Sequence, residues 1–560
     1  MMGVPAEATT VFIARKVITM DPDIPAASAV AVRGGRIVAV GDAAELRRIG
    51  AVDDTFSDSI VCAGLIDQHL HPILGATTLT TEVIAVEDWI LPHKNYPGAL
   101  SAEDYLRRLR AAEHELSDPG DWLFSWGYHR LWHGPLDRTL LDSVSITRPI
   151  VVWQRSCHEW FLNSAAIAAL GLTATEMADQ GVASSMVDLA AGHWWESGMN
   201  LLLPKLSPVF MTRDRLETGL RRLVAYLHGN GVTAINEPGI MWDFEPWDLY
   251  QEVLGSTDTP FGSTFLVDAR SQADAGLSPA DAVADAEARV VQASSGKVRL
   301  LPKQIKLFAD GAIISQLMQM REPYVDDAGR PDLCHHGEWM MQPDVFKSFA
   351  SAYWEAGWQL HIHVNGDAAL DLVLDTIEQC MADRPRDDHR TVIVHFANST
   401  EDQIDRIAAL GCVVSANSYY PVGFADRYRE HGLGPQRADS MVRAASVLSR
   451  GIPLSFHSDL PMGPASPLTL AWCGVNRRTP GGRTVAPEQR ISVHDALRAV
   501  TIEAAYSWRM EDEIGSITPG KLANFTILAD DPYEVDPLTL KDLEVLGTVY
   551  EGRWFPIRDE

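Results

Sequence analysis

The chain has 560 residues, of which 46% are hydrophobic and 22% charged, and these fractions exclude collagen-like, disordered and low-complexity proteins. Acidic residues outnumber basic ones by 75 to 47, and the resulting formal net charge is −28. A field of this sign repels phosphate backbones and anionic lipids, so we expect no nucleic-acid partner and no membrane partner.

The cysteines and the N-terminal segment predict a protein of the reducing cytoplasm. The six cysteines stand at least 32 residues apart, which excludes a Cys-x-x-Cys metal knuckle and argues against a disulfide-dense secreted domain. The N-terminal segment lacks a basic flank followed by a long apolar core, so no signal peptide is predicted. No apolar run reaches the ~18 residues that a membrane-spanning helix needs.

Short strands are predicted at both ends of the chain. The first sixty residues contain β-branched, partly alternating runs separated by Pro, Asp and Gly, and similar runs follow Gly515 near the C-terminus. Strand-rich ends around a mixed middle suggest that the two termini pair with each other. We therefore expect residues 1–64 and 510–560 to form one small composite β-sandwich domain.

The middle of the chain, residues 65–509, alternates strand and helix patterns. Apolar runs that end in polar residues are followed by amphipathic helices, and the capping-box spacing of Thr400 and Gln403 predicts one helix start. Repeated βα units over ~400 residues favour an α/β fold of the (β/α)₈ TIM-barrel type over an open sheet. Residues at about 76–215 are less regular and rich in Trp and His, so we expect an insertion over one end of the barrel.

The first candidate site lies in the segment GLIDQHLHP, where His69 and His71 are two residues apart. Residues i and i+2 of a strand point to the same face, so the two imidazoles would project together into the mouth of a barrel. Two convergent neutral imidazoles are suitable ligands for Zn²⁺ or a similar ion. A chance pair of histidines at a polar strand end explains the same pattern, so the motif alone is weak.

Later apolar runs also carry potential metal ligands, namely Lys306, His361, His363, His395 and Asp459. A lysine inside an apolar strand is unusual because an ammonium group is costly to bury without a partner. One explanation for Lys306 is a salt bridge, for example with Asp310. The other is that its neutral amine adds CO₂ and becomes a carbamate, an anionic bidentate group that can bridge two cations.

Taken together, these segments resemble the metal-dependent amidohydrolase superfamily. The resemblance is strongest to its YtcJ-like branch, amidohydrolase family 3, which includes N-substituted formamide deformylases. It covers essentially the whole chain and rests on the ordered motifs GLIDQHLHP, WGYHRLW, SCHEWFLNSAAI, GVTAINEPG, KLFADGA, HVNGD, VHFAN, SDLP and GSITPGKLANFTIL. Any one of these motifs could arise by chance, but their order along the chain is specific.

The resemblance implies a site for one or two divalent metals, with Zn²⁺ favoured. Carried over by position, it gives the ligands as His69 and His71 for the more buried metal, Lys306 as the carboxylated bridging lysine, His363 and His395 for the second metal, and Asp459 for the first metal. Asp459 is also the implied general acid/base, which takes a proton from the hydroxide held by the metals and passes it to the leaving nitrogen.

Several neighbouring residues keep alternative interpretations. His158 resembles the family's substrate-side histidine and is predicted to bind the substrate carbonyl or oxyanion, with Trp160 and Asn163 in the substrate pocket; a structural histidine packed by Trp160 is the alternative. His361 and His457 stand two positions before predicted ligands, so each is either an additional ligand or a supporting residue. The family usually lacks a histidine at the second of these positions. Asn365 replaces a commoner apolar residue, and we expect this replacement to have no effect on the site.

The predicted activity is hydrolysis of a C–N bond in a small non-peptide amide, an N-substituted formamide or a cyclic amide. The same fold also admits heterocycle deamination, ester hydrolysis and decarboxylation, because a metal-held hydroxide serves all of them. A non-catalytic metal-binding protein is the remaining alternative, and the complete ligand set argues against it. The expected partner is a small-molecule substrate, and the resemblance implies a homo-oligomer.

Overall fold

The computed structural model describes residues 8–25, 27–177, 181–240, 246–326 and 328–557. The extreme ends of the predicted composite domain and residues 178–180 of the predicted insertion lie outside these ranges. In chain order the strands are β1 (Thr10–Ile18), β2 (Ala27–Arg33), β3 (Arg36–Gly41), β4 (Ala51–Ala63), β5 (Leu65–Asp67), β6 (Glu82–Val83), β7 (Trp89–Leu91), β8 (Lys94–Tyr96), β9 (Leu123–Tyr128), β10 (Ile150–Gln154), β11 (Glu159–Leu162), β12 (Val187–Asp188), β13 (His193–Trp195), β14 (Val232–Ile240), β15 (Gly262–Asp268), β16 (Val298–Phe308), β17 (Gln359–Val364), β18 (Val392–His395), β19 (Val413–Ala416), β20 (Leu454–Phe456), β21 (Phe525–Leu528), β22 (Val545–Tyr550) and β23 (Arg553–Pro556).

The α-helices are α1 (Ala43–Leu46), α2 (Pro72–Thr78), α3 (Ala102–Glu115), α4 (Arg130–His133), α5 (Arg138–Asp142), α6 (Ser164–Ala169), α7 (Ala174–Met177), α8 (Met199–Phe210), α9 (Arg213–Gly229), α10 (Trp247–Val253), α11 (Ala269–Asp274), α12 (Pro279–Ala293), α13 (Pro343–Glu355), α14 (Asp367–Asp383), α15 (Glu401–Leu410), α16 (Tyr420–Gly423), α17 (Ala425–Tyr428), α18 (Gly434–Asp439), α19 (Ala444–Ser449), α20 (Pro467–Asn476), α21 (Val493–Ala499) and α22 (Ile502–Ser507). The start of α15 agrees with the predicted cap, since the Thr400 backbone N–H donates to Gln403 Oε1 at 3.0 Å. None of the described helices has both the length and the apolar character needed to cross a bilayer.

Eight strands form a parallel barrel in the order β20-β19-β18-β17-β16-β15-β14-β5. Strands β17, β18 and β19 are buried along their whole length, as expected for parallel strands covered by helices. The segments after the two edge strands also meet, because the Asp459 N–H donates to the His69 carbonyl at 2.9 Å and the Ser458 N–H donates to Asp67 Oδ1 at 3.1 Å. The sheet is thus nearly closed, which confirms the predicted (β/α)₈ fold.

Both ends of the chain contribute to one seven-stranded sheet, in the order β23-β22-β21-β4-β1-β2-β3. The join between the two ends is β21, which runs antiparallel to β4 with Phe525 opposite Ala63. Strand β1 pairs in parallel with the other side of β4. The chain leaves this sheet at Gly64 and enters the barrel directly, so β4 sets the position of the first barrel strand.

Residues 72–226 form a second compact unit together with residues 460–462. Its six-stranded sheet has the order β12-β13-β11-β10-β9-β6. Trp153 and Trp160 stack in this unit with ring centroids 4.8 Å apart, and Phe210 meets Trp160 edge-on at 5.2 Å. The buried Arg155 guanidinium pairs with Glu87 and also donates to the Met462 carbonyl at 2.9 Å, which attaches the short 460–462 segment to the unit.

Candidate active site

The predicted ligands lie at or just beyond the carboxyl ends of five barrel strands. Lys306 is in β16, His363 is in β17, His395 ends β18, Asp459 follows β20 by three residues, and His69 and His71 follow β5. This is the end of the barrel at which active sites of the fold are built. The two histidines of the first motif lie beyond the strand, not within it as we expected, since β5 ends at Asp67.

The carboxylate of Asp459 lies between histidines that come from different strands. Its Oδ1 is 3.0 Å from His71 Nε2 and 3.4 Å from His69 Nε2, and its Oδ2 is 3.6 Å from His395 Nδ1. The rings of His69 and His395 are 4.7 Å apart. Imidazole nitrogens and a carboxylate at such spacing form a donor set of the kind that binds Zn²⁺. The structure therefore brings four of the predicted ligands together.

Backbone strain coincides with this cluster. Asp459 has φ 58° and His395 has φ 73°, both in the left-handed region that residues with a Cβ avoid. Each such residue costs on the order of 1–3 kcal/mol and persists only where the surrounding structure enforces it. At both positions the strained backbone directs a ligand side chain toward the cluster.

Lys306 is buried, with 1% of its surface exposed, and among the described residues its Nζ has no hydrogen-bond partner. Burial lowers the pKa of Lys306 to about 8, against the opposing effect of the Asp459 and Glu237 carboxylates. No ion pair within the described ranges joins Lys306 to Asp310, so the salt bridge offered as one explanation is wrong. A buried amine that has a lowered pKa and, among the described residues, no hydrogen-bond partner fits both CO₂ addition and a nearby cation.

Asp310 instead supports the loop that follows β17. Its Oδ1 accepts from the Asn365 N–H at 2.9 Å, and its Oδ2 accepts from the Gly366 N–H at 2.7 Å and the Gln319 N–H at 2.9 Å. The side chain is fully buried. This carboxylate therefore satisfies three backbone donors beside His363.

We expect Asp310→Ala to destabilise the protein by about 3 kcal/mol or more, because three buried N–H groups lose their acceptor. The measurement is the denaturant midpoint of unfolding, followed by circular dichroism. Asp310→Asn keeps one acceptor oxygen and should lie between Asp310→Ala and the wild type. An unchanged midpoint for Asp310→Ala would contradict the structural role.

His71 is held from its other side by Glu237. The Nδ1 of His71 is 2.9 Å from Oε1 and 3.1 Å from Oε2 of this buried glutamate in β14. Burial alone lowers the pKa of His71, but the carboxylates of Glu237 and Asp459 outweigh it and raise the pKa to about 10. A carboxylate on one ring nitrogen with the other nitrogen aimed at the site is typical of metal-binding histidines. Glu237 was not predicted as a site residue from the sequence, although an acidic residue after an apolar run indicates a polar group at a strand end.

We expect Glu237→Gln to weaken metal binding by about 10- to 100-fold while the fold is retained, because the amide cannot accept and orient the His71 N–H as strongly. Competition with a chromogenic chelator measures the affinity. The matched control is Glu287→Gln, since Glu287 is exposed and pairs with Lys303 on the surface. Equal affinities for the wild type and Glu237→Gln would show that Glu237 does not orient His71.

The structure also places the residues that the sequence left open. His361 Nε2 is 3.0 Å from Gln304 Oε1, so this imidazole donates to an amide, and burial lowers its pKa to about 3. The replacement at Asn365 does affect the site, because the Nδ2 of Asn365 is 3.0 Å from Nε2 of the predicted ligand His363. His457 Nε2 is 3.2 Å from His395 Nδ1.

The three predicted substrate residues belong to the second unit. His158 Nδ1 is 3.2 Å from Glu196 Oε2, and its side chain is 26% exposed. Asn163 caps α6 and uses its whole amide on the backbone: Oδ1 accepts from the N–H groups of Ile150 and Ala166, and Nδ2 donates to two carbonyls. With Trp160 stacked in the core, the structure gives Asn163 and Trp160 structural roles and leaves His158 as the candidate.

Comparisons with known proteins identify the family of the chain. The sequence profile of the family described as "Amidohydrolase family" matches residues 57–555. The N-substituted formamide deformylase of Arthrobacter pascens is 28% identical over 95% of this chain and 96% of its own. YtcJ of Bacillus subtilis (strain 168) is 23% identical over 89% of each chain.

A crystal structure of an uncharacterized metal-dependent hydrolase from Pyrococcus horikoshii OT3 has the same fold. It superposes with a TM-score of 0.70 at 20% identity and covers 95% of this chain and 99% of its own. The family match extends from the composite sheet through every barrel strand that carries a candidate ligand. The chain therefore belongs to the amidohydrolase family and is a hydrolase of that family.

Proposed function

We propose that the protein is a metal-dependent hydrolase that cleaves the C–N bond of a small non-peptide amide, with N-substituted formamides as the favoured class. The observation that carries this proposal is the Asp459 carboxylate, which faces His71 and His69 through one oxygen and His395 through the other. The formamide class is supported by the similarity to the deformylase of Arthrobacter pascens over nearly the full length of both chains.

The residues present fit a divalent metal site. The residues that would hold it are His69, His71, His395 and Asp459, with Lys306 in a carboxylated form as a further ligand; His363 stays a prediction from the sequence. When bound, the metal supplies Lewis acidity and an activated water, and Zn²⁺ is the first ion to test. Such an ion explains the clustered nitrogens and the Nζ of Lys306, which has no hydrogen-bond partner among the described residues.

Asp459 has the position of a proton carrier. Its two oxygens face different imidazoles, so the carboxylate can accept a proton on one side of the site and release it on the other. An amine must be protonated before it leaves a tetrahedral centre, and Asp459 is the group assigned to that transfer. The substrate-binding role of His158 stays a prediction from the sequence; within its own unit, His158 Nδ1 lies 3.2 Å from Glu196 Oε2.

Product analysis tests the reaction class. Protein supplemented with Zn²⁺ and bicarbonate is incubated with a series of N-alkyl and N-aryl formamides, and amine and formate are quantified. We expect both products in equal amounts, with much slower release of both by Asp459→Asn. Release of ammonia from heterocyclic amines without formamide cleavage would instead indicate a deaminase, and release of CO₂ would indicate a decarboxylase.

A further inference from the structure

We infer that Tyr420 is a further catalytic residue, whose hydroxyl donates a hydrogen bond to the carbonyl oxygen of the substrate. This inference rests on the proposed metal-dependent function. Tyr420 begins α16, just beyond the carboxyl end of β19, and 2% of its surface is exposed. It is not one of the predicted ligands, but its hydroxyl reaches their cluster.

The Tyr420 hydroxyl is directed at a predicted metal ligand. Its oxygen lies 3.4 Å from His395 Nδ1, and among the described residues this is the one hydrogen-bond contact of the hydroxyl. The buried Tyr353 differs, because its hydroxyl donates to Gln272 Oε1 at 2.6 Å and to the Ala282 carbonyl at 2.9 Å. Since buried hydroxyl groups normally have well-placed partners, the single long contact of Tyr420 indicates a hydroxyl whose acceptor is not a structural group.

The nitrogen that Tyr420 contacts also faces other potential ligands. His395 Nδ1 lies 3.6 Å from Asp459 Oδ2 and 3.2 Å from His457 Nε2. It is therefore the nitrogen through which His395 would bind a cation in this cluster. A lone pair that binds a cation cannot also accept an O–H hydrogen bond. The Tyr420 hydroxyl would then donate to another acceptor beside that cation.

The acceptor that suits this position is the carbonyl oxygen of an amide. A carbonyl group that is attacked by an activated water lies at the metal centre, and its oxygen gains negative charge as the tetrahedral centre forms. A phenol carries its proton at neutral pH and can donate it to that oxygen. The Asp459 carboxylate cannot do so while it is ionised, because it is then an acceptor only. Tyr420 therefore supplies a donor that the proposed ligands lack.

The turn before Tyr420 is joined to two segments that carry predicted ligands. The Asn417 N–H donates to the His395 carbonyl at 3.2 Å, and Asn417 Nδ2 donates to the Ser458 carbonyl at 3.0 Å, next to Asp459. The Tyr420 N–H donates in turn to the Asn417 carbonyl at 3.3 Å. A donor that is fixed before the substrate binds needs no reorganisation during the reaction, which is the property of an effective oxyanion donor.

The test is Tyr420→Phe, which removes the hydroxyl and keeps the ring. At saturating Zn²⁺ we expect kcat for formamide hydrolysis to fall by about 10²- to 10³-fold, as for the loss of one oxyanion donor, with KM within about threefold of the wild type. The dissociation constant of Co²⁺, measured by competition with a chelator, should also stay within about threefold. Tyr353→Phe is the matched control, because it removes a buried hydroxyl that bonds to α11 and α12, and it should keep the kcat and the metal affinity of the wild type.

A second measurement does not depend on turnover. Formohydroxamate, a formamide analogue whose carbonyl oxygen binds metals, is titrated into the Co²⁺-loaded proteins and followed by the visible d–d absorption. We expect its dissociation constant to rise by about 10-fold in Tyr420→Phe, because a hydrogen bond to a charged oxygen is lost. Tyr353→Phe should bind it as the wild type does.

The outcomes separate this inference from the proposed function. An unchanged kcat in Tyr420→Phe, or an unchanged affinity for formohydroxamate, would overturn the inference. A Co²⁺ affinity that falls by about 10-fold or more would also overturn it, because Tyr420 would then be a positioning residue that acts through His395. A wild-type protein that binds Co²⁺ and formohydroxamate but hydrolyses no formamide would contradict the proposed reaction alone, and the affinities for formohydroxamate would still decide the role of Tyr420. A wild-type protein that binds neither Co²⁺ nor Zn²⁺ would overturn both.

Discussion

Asp459→Asn is expected to lower kcat/KM for formamide hydrolysis by about 10²- to 10⁴-fold, because the amide keeps the shape of the carboxylate but cannot carry a proton. Metal binding should weaken as well, since the Oδ1 that faces His69 and His71 loses its charge. Initial rates of amine release and metal content, measured on the same samples, separate the two effects. Most of the loss in kcat/KM should persist at saturating Zn²⁺, because added metal restores binding but not the proton transfer.

The matched control is Asp67→Asn. Asp67 is a buried carboxylate at the end of β5, and its Oδ1 accepts from the Ser458 N–H at 3.1 Å, which an amide oxygen can do equally well. We expect Asp67→Asn to keep activity within about threefold of the wild type, since it keeps the acceptor and changes no proposed ligand. A loss in this variant as large as that in Asp459→Asn would contradict a special role for Asp459.

Lys306→Ala is expected to bind fewer metal ions than the wild type and to lose most of its activity, because the truncated side chain cannot form the carbamate that we propose for Lys306. A short carboxylic acid such as propionate, added to the assay, fits the space that truncation leaves and supplies a carboxylate. We therefore expect partial recovery of metal content and activity at millimolar propionate. Elemental analysis and initial rates are the measurements.

Lys303→Ala is the control for this variant. Lys303 lies on the same strand, but its side chain is 52% exposed and pairs with Glu287. This variant should match the wild type in metal content and activity, since an exposed ion pair contributes little. Equal metal content in Lys306→Ala and the wild type would make Lys306 a structural residue and favour a mononuclear site.

The barrel and the cluster at its carboxyl end were accessible from the sequence because both depend on short-range pattern. Lys306, His363 and His395 lie within apolar runs that read as buried parallel strands, and the ends of such strands meet at one edge of a barrel. The spacing of His69 and His71 suggested a pair of ligands, and the family resemblance was needed to assign them to a metal. The ordered motifs then pointed to the family that the sequence profile supports.

The errors and omissions concern contacts between distant segments. The bond from Glu237 to His71 joins residues 166 positions apart, and the three hydrogen bonds of Asp310 come from two other segments. The Asn163 amide likewise accepts from the Ile150 N–H and donates to the Ser145 carbonyl, and no local sequence pattern predicts these hydrogen bonds. The left-handed backbone at Asp459 was also unforeseen, because a non-glycine residue gives no local signal of such strain.

The most direct test of the metal-dependent hydrolase is metal analysis of the wild-type protein, expressed with added Zn²⁺ and bicarbonate, together with its formamide hydrolysis before and after chelation. We expect one or two Zn²⁺ ions per chain, loss of hydrolysis when they are removed, and recovery when Zn²⁺ is returned. A protein that binds no metal, or that hydrolyses formamides at an unchanged rate after the metal has been removed, would contradict the central claim.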